Sequence, residues 1–223
     1  MACGEAEPYA VPAPRAAIEL DDATDALQLD RRWPTTTTFT MEAWLRIDRA
    51  GFVAQSHHGD GERVALAVSP ESINFVASGV LPGDGWVWPV PDDGWHHVAA
   101  RAEPRRLSIF VDGRLEGEWS TVGAVRLVAS PIVTLGAGYA RTAGGGAAFE
   151  YPCFRGALAR FRVTPGEMSG LERPDAWGPT RDGSMFDFTA PPERGGWVSE
   201  ADGNVARPMG DLPGATAPRW TRY

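Results

Sequence analysis

Gly94-Trp95-His96-His97-Val98-Ala99-Ala100-Arg101, followed by Leu107-Ser108-Ile109-Phe110-Val111-Asp112-Gly113-Arg114-Leu115-Glu116-Gly117-Glu118-Trp119, reads as three short strands in a row. Trp95, His97 and Ala99 alternate with His96, Val98 and Ala100, and Leu107, Ile109 and Val111 alternate with Ser108, Phe110 and Asp112. Successive Cβ atoms of a strand point to opposite faces, so a side-chain period of two marks strands of a layered sheet. Glu103-Pro104-Arg105-Arg106 supplies the first turn. Asp112-Gly113 supplies the second, a tight hairpin in which glycine accepts the positive φ.

The same pattern extends to both sides. In Phe39-Thr40-Met41-Glu42-Ala43-Trp44-Leu45-Arg46-Ile47 the odd positions form a core face. Thr40, Glu42, Trp44 and Arg46 fall on the other face, which is expected to be solvated or to form a groove with one aromatic platform. Ile18, Leu20, Leu27 and Leu29 flank an acidic loop, and further strands are expected at 51–55, 64–68, 73–76, 125–127, 132–136 and 156–163. Leu158 and Phe161 break strict alternation, as a bulge or burial on both faces would require. Residues 81–91 are crowded with proline and glycine and suit an edge strand or a loop rim. Residues 142–148 form a glycine-rich insertion without the lysine of a P-loop, and one helical turn is expected near 168–171. The tail returns to strand and turn at 185–188 and 197–204.

With 223 residues, 43% of them hydrophobic, the chain can bury the core of one large all-β domain. Its 26 glycines and 19 prolines are scattered as punctuation between strands rather than gathered into a low-complexity tract. A net charge of −8 argues against a nucleic-acid partner, whose phosphates demand a basic face. All 21 basic residues are arginine, which removes lysine-dependent chemistry. Two cysteines, Cys3 and Cys153, exclude zinc-finger sites, and no run reaches the length of a membrane helix or reads as a signal peptide. Residues 1–17 read as a flexible Pro/Ala-rich tether and 18–223 as a single domain. Ala2-Cys3-Gly4 ahead of that spacer suits the trimmed end of a lipid-anchored surface protein; an ordinary cysteine or a Cys3–Cys153 pair are the alternatives.

The segments at 39–45, 94–99, 107–113 and 154–163, taken together, resemble the recurring strands of laminin-G-like, concanavalin A-like jelly-roll domains, in matching order from about Ile18 to Val163. Met185-Phe186-Asp187-Phe188, the turn Glu200-Ala201-Asp202-Gly203-Asn204 and Trp220 resemble elements that often open such a domain. Here they come last, so residues 181–223 are expected to fold back beside the first strand and complete the domain. The turn departs from the family pattern at Glu200 and Asp202. The resemblance implies an all-β, two-sheet antiparallel sandwich with six or seven strands in each sheet. It also places His96 and His97 in an ordinary strand, with His97 expected inward as a packed, hydrogen-bonded side chain rather than a metal ligand or base.

Such a fold hosts lectins, adhesion modules and glycan-cleaving enzymes, so side chains must discriminate among them. The Glu-x-Asp-x-x-Glu run of glycanases is absent, and Glu116 with Glu118 suit a solvated edge better than a catalytic pair. Trp86 and Trp88, two residues apart on an extended segment, form a candidate stacking platform for sugar rings, with Asp84, His57, His58 and Asp60 as hydrogen-bonding neighbours if the loops meet at one rim. Packing of both indoles under a loop is the equal alternative, and the other tryptophans are expected mostly in the core. The turn carrying Glu200, Asp202 and Asn204 and the loop carrying Asp21, Asp22 and Asp25 offer oxygen ligands for a structural Ca2+; otherwise no cofactor is expected. The expectation is an extracytoplasmic, secreted or surface-tethered, non-catalytic domain that binds a glycan or glycoprotein. An adhesion module without a sugar site is the first alternative, and a glycan hydrolase or lyase the second.

Overall fold

The computed structural model describes residues 13–21, 25–57, 63–77, 86–90, 92–127, 129–130, 132–137, 139–141, 147–149, 153–166, 171, 183–192, 196–199, 205–209 and 218–223. Cys3 and most of the 167–182 passage lie outside them. Two antiparallel sheets of eight strands each face one another, and no helix occurs among the described residues.

The first sheet contains β1 (Ala16–Leu20), β3 (Phe39–Arg49), β8 (Trp95–Glu103), β9 (Arg106–Val111), β10 (Arg114–Ser120), β14 (Arg155–Pro165), β15 (Ser184–Asp187) and β18 (Arg219–Arg222). Its order is β10-β9-β8-β3-β14-β1-β18, with β15 also paired to β14. The second sheet contains β2 (Leu27–Leu29), β4 (Gly51–His57), β5 (Arg63–Ser69), β6 (Ser72–Ala77), β7 (Trp86–Pro89), β11 (Ile132–Leu135), β16 (Trp197–Val198) and β17 (Val205–Pro208). Its order is β16-β17-β2-β11-β4-β5-β6-β7. The insertion expected at 142–148 is in part a strand, since β13 (Ala147–Phe149) pairs with β12 (Tyr139–Arg141). Leu127 makes only an isolated bridge, to Thr36, where a strand was expected. Of the expected helical turn, only Leu171 is described.

The opening stretch folds as its alternation dictates. Val98 stands opposite Ala43 and Val111, and Ala100 opposite Met41 and Ile109, so these residues share the face that meets the other sheet. Asp112 and Gly113 both take positive φ, 50° and 79°, as a two-residue hairpin matching strand twist requires. Arg105, at φ 65°, takes the place after Pro104 that glycine usually fills. The core lies between the sheets: Met41, Leu45, Ile109 and Phe161 from one meet Val53, Leu66, Phe75 and Leu135 from the other, all buried. Phe39 and Phe75 join the layers with ring centroids 6.4 Å apart. Each such side chain contributes about 1.5–3 kcal/mol through burial.

In β14 the broken alternation has a physical cause. A register shift against β3 between Leu158 and Arg160 leaves Ala159 as the extra residue. Leu158 and Phe161 stay in the main core while Ala157 and Ala159 pack on the other side. β18 lies beside β1, with Ile18 opposite Trp220.

Candidate functional site

β7 is the edge strand of the second sheet, which suits its proline. Its ladder sets Trp86 opposite Phe75 and Trp88 opposite Ile73, and both of those partners are buried in the core. His57 stands opposite Arg63 and Ile132, and Ala77 opposite Val64. The strand ends bracketing 58–62 and 78–85 therefore lie at one end of one sheet. His58, Asp60 and Asp84, and the side chains of His57, Trp86 and Trp88, lie outside the described parts.

The two acidic segments are arranged differently. β17 pairs with β2 so that Pro208 faces Leu27 and Ala206 faces Leu29. Loop 21–26 leaves one end of that ladder, whereas 199–204 leaves the other, where Asp30 N–H donates to Val205 O. The described ends of the two segments thus lie at opposite ends of that ladder. Asp25 is buried, and its carboxylate accepts the Asp21 backbone N–H at 3.0 Å, clamping its own loop. The Asp21 carboxylate pairs with Arg219. Asp22, Glu200, Asp202 and Asn204 are outside the described residues, among which no group of three or more metal-ligating side chains occurs.

The outer face of the first sheet overturns two expectations. Thr40, Glu42 and Trp44 are buried rather than solvated. Leu171, remote in sequence, packs there against Ala99 and Phe110, and Trp44 packs with Ala17, Ala157 and Ala159. His97 stands opposite Trp44 and so belongs to this outer face, not to the inter-sheet core, although it is fully buried. It is His96, opposite Leu45, that takes the inner side.

Glu42 accepts Arg162 Nε–H at 2.6 Å and His97 Nε2–H at 3.2 Å. Burial opposes ionisation of Glu42, but these two donors outweigh it and hold its pKa below the usual carboxylate range. The three side chains are out of reach of a substrate and act as a brace. His96 bridges two surface turns, with Nδ1 2.9 Å from Asp112 Oδ2 and Nε2 3.2 Å from both Asp92 O and Asp92 Oδ1. Burial lowers its pKa, yet Asp112 and then Asp92 raise it further, leaving it above the ordinary histidine value.

Four residues further along β3 the same face opens to solvent. Arg46 lies over the Tyr223 ring, 5.4 Å from guanidinium carbon to centroid. Tyr223 meets Trp95 edge to face, at 5.6 Å and 79°. Three strands separate β8 from β18, but Ala17, Ala157 and Ala159 are small enough to let the rings approach over them. Tyr223 is 51% exposed and donates its hydroxyl to Glu19, while Arg46 pairs loosely with Glu19 at 3.5 Å and Asp48 at 3.4 Å. This corner was not among the expected sites. The alternation that placed Trp95 with His97, and Arg46 with Trp44, held half of the signal; the contribution of Tyr223 depends on contacts across the whole chain.

The laminin G model of the concanavalin A-like lectin/glucanases superfamily matches residues 21–172, more than half of the chain. The chain belongs to that superfamily. Solved structures share its concanavalin A-like fold at low identity. The native heptameric SAP-like pentraxin of Limulus polyphemus is 14% identical with a TM-score of 0.57, over 89% of this chain and 97% of that one. Domains LG4-5 of the mouse laminin α1 chain are 16% identical with a TM-score of 0.52, over 86% of this chain and 53% of that one. The CBM40 of Ruminococcus gnavus IT-sialidase, bound to α2,3-sialyllactose, is 14% identical with a TM-score of 0.50, over 75% of this chain and all of that one. No curated protein matches. On this concanavalin A-like scaffold Glu116 and Glu118 sit on edge strand β10, paired with Arg114 and Arg106.

Proposed function

We propose that the chain is a non-catalytic carbohydrate- or glycoprotein-binding domain, secreted or held at the cell surface. Its ligand meets the rim where 58–62 and 78–85 leave the second sheet beside β7. The observation that supports this reading is the common end shared by those strand termini; His57, His58, Asp60 and Asp84 are the proposed polar groups for a ligand stacked on Trp86 or Trp88. The superfamily and a sialyllactose-bound carbohydrate-binding neighbour support it. A Ca2+ held by either acidic segment would brace its loop without taking part in stacking.

Wild-type protein on a glycan array, with and without calcium, tests the reading. Saturable binding of a glycan is expected, and no binding in either condition would leave the adhesion reading in its place. Release of reducing ends from a polysaccharide panel would instead reveal a hydrolase or lyase. Trp86→Ala with Trp88→Ala should lower affinity at least tenfold with little change in melting temperature. A large loss of stability would assign both indoles to the core beside Phe75 and Ile73.

A further inference from the structure

We propose that the corner formed by Trp95, Tyr223, Arg46, Glu19 and Asp48 is a second carbohydrate site, on the opposite sheet from β7, and that it takes a neutral sugar ring. Two aromatic rings meeting at 79° make an L-shaped wall. A pyranose or furanose ring fits such a wall by laying its C–H face on one ring and its edge against the other. Hydroxyl groups then need donors and acceptors within one sugar's width. The Arg46 guanidinium donates, while Glu19 and Asp48 accept.

Charge selects the class of sugar. A carboxylated or sulfated ring would face Glu19 and Asp48 against one guanidinium, an unfavourable balance. A cationic ligand would compete with Arg46, which already lies over Tyr223. A neutral polyol meets neither obstacle. The corner is also set in advance. Burial, and then Glu19, push the Tyr223 phenol up to about 12, so its hydroxyl remains a donor to Glu19 and fixes the ring at neutral pH. The carboxylate contacts of Arg46 are long, at 3.4–3.5 Å, and a sugar hydroxyl can replace them.

The test uses the full chain on an array of neutral and sialylated oligosaccharides, followed by titration of the strongest neutral hit into variants. Tyr223→Ala and Arg46→Gln should each weaken that binding at least tenfold, and Tyr223→Phe, which keeps the ring, should retain most of it. Glu116→Gln, on the opposite edge strand β10, should leave this binding unchanged, which ties any loss to the corner itself. The proposal is overturned if no neutral glycan binds, if every hit is sialylated, or if binding of neutral hits is indifferent to Tyr223 and Arg46. Circular dichroism of each variant confirms folding; should Tyr223→Ala be unfolded, Arg46→Gln decides alone.

Discussion

Glu42 and Arg46 project from one face of one strand, four residues apart, and are held in opposite ways. Glu42 is buried, 2.6 Å from Arg162 and backed by His97. Arg46 is partly exposed and no closer than 3.4 Å to its carboxylate partners. A buried charge is kept only where its partners compensate for lost water, so removing one leaves an expensive orphan. A solvated pair costs little to break, so its groups are available to a ligand. The same pair of residue types is scaffold at one end of the strand and recognition surface at the other, and burial decides which.

The largest way to break this comparison is Arg162→Ala, which strands Glu42 in the sheet. Chemical denaturation should show a loss of about 3–5 kcal/mol, with folded protein still binding glycan. Gly156→Ala attacks both regions at once. A Cβ there would sit 2.0 Å from the Arg46 carbonyl oxygen, at a φ of +149° that side chains rarely adopt. A destabilisation of about 2–5 kcal/mol from strain and overpacking is expected, with a displaced corner and weaker binding of the neutral sugar. Retained stability and affinity would mean that β3 and β14 are not held as closely as described.

A smaller effect comes from His96. Its pKa is raised in the folded state, so the stabilisation is fully present below the unfolded pKa, near 6.5. It is lost as pH rises through the higher folded value. Unfolding free energies measured across that window should fall by about 1 kcal/mol, and His96→Gln should flatten the profile. Arg219→Ala, which frees the exposed Asp21, is the smallest: under about 1 kcal/mol by the same denaturation assay.

Much of the fold was legible because its signals are local. The Asp112-Gly113 hairpin, the core face of 39–47 and the edge character of β7 each follow from a few adjacent residues. What local pattern could not show was which second face is covered. Thr40, Glu42 and Trp44 read as solvated because Leu171 and Arg162 come from far along the chain. His97 misled for the same reason: burial was correctly expected, but the layer providing it was not the core. Tyr223 reaches Glu19 across 204 residues of sequence, so no period or motif could place it beside Trp95.

The account is tested most directly by the affinity of Arg46→Gln and of Glu42→Gln for the neutral array hit, each read beside its unfolding free energy. The account predicts that Arg46→Gln keeps its stability within about 1 kcal/mol and loses binding at least tenfold. It predicts that Glu42→Gln is much less stable, while its folded fraction binds as wild type does. The reverse assignment, a stable Glu42→Gln that has lost binding or an Arg46→Gln that unfolds, would contradict it.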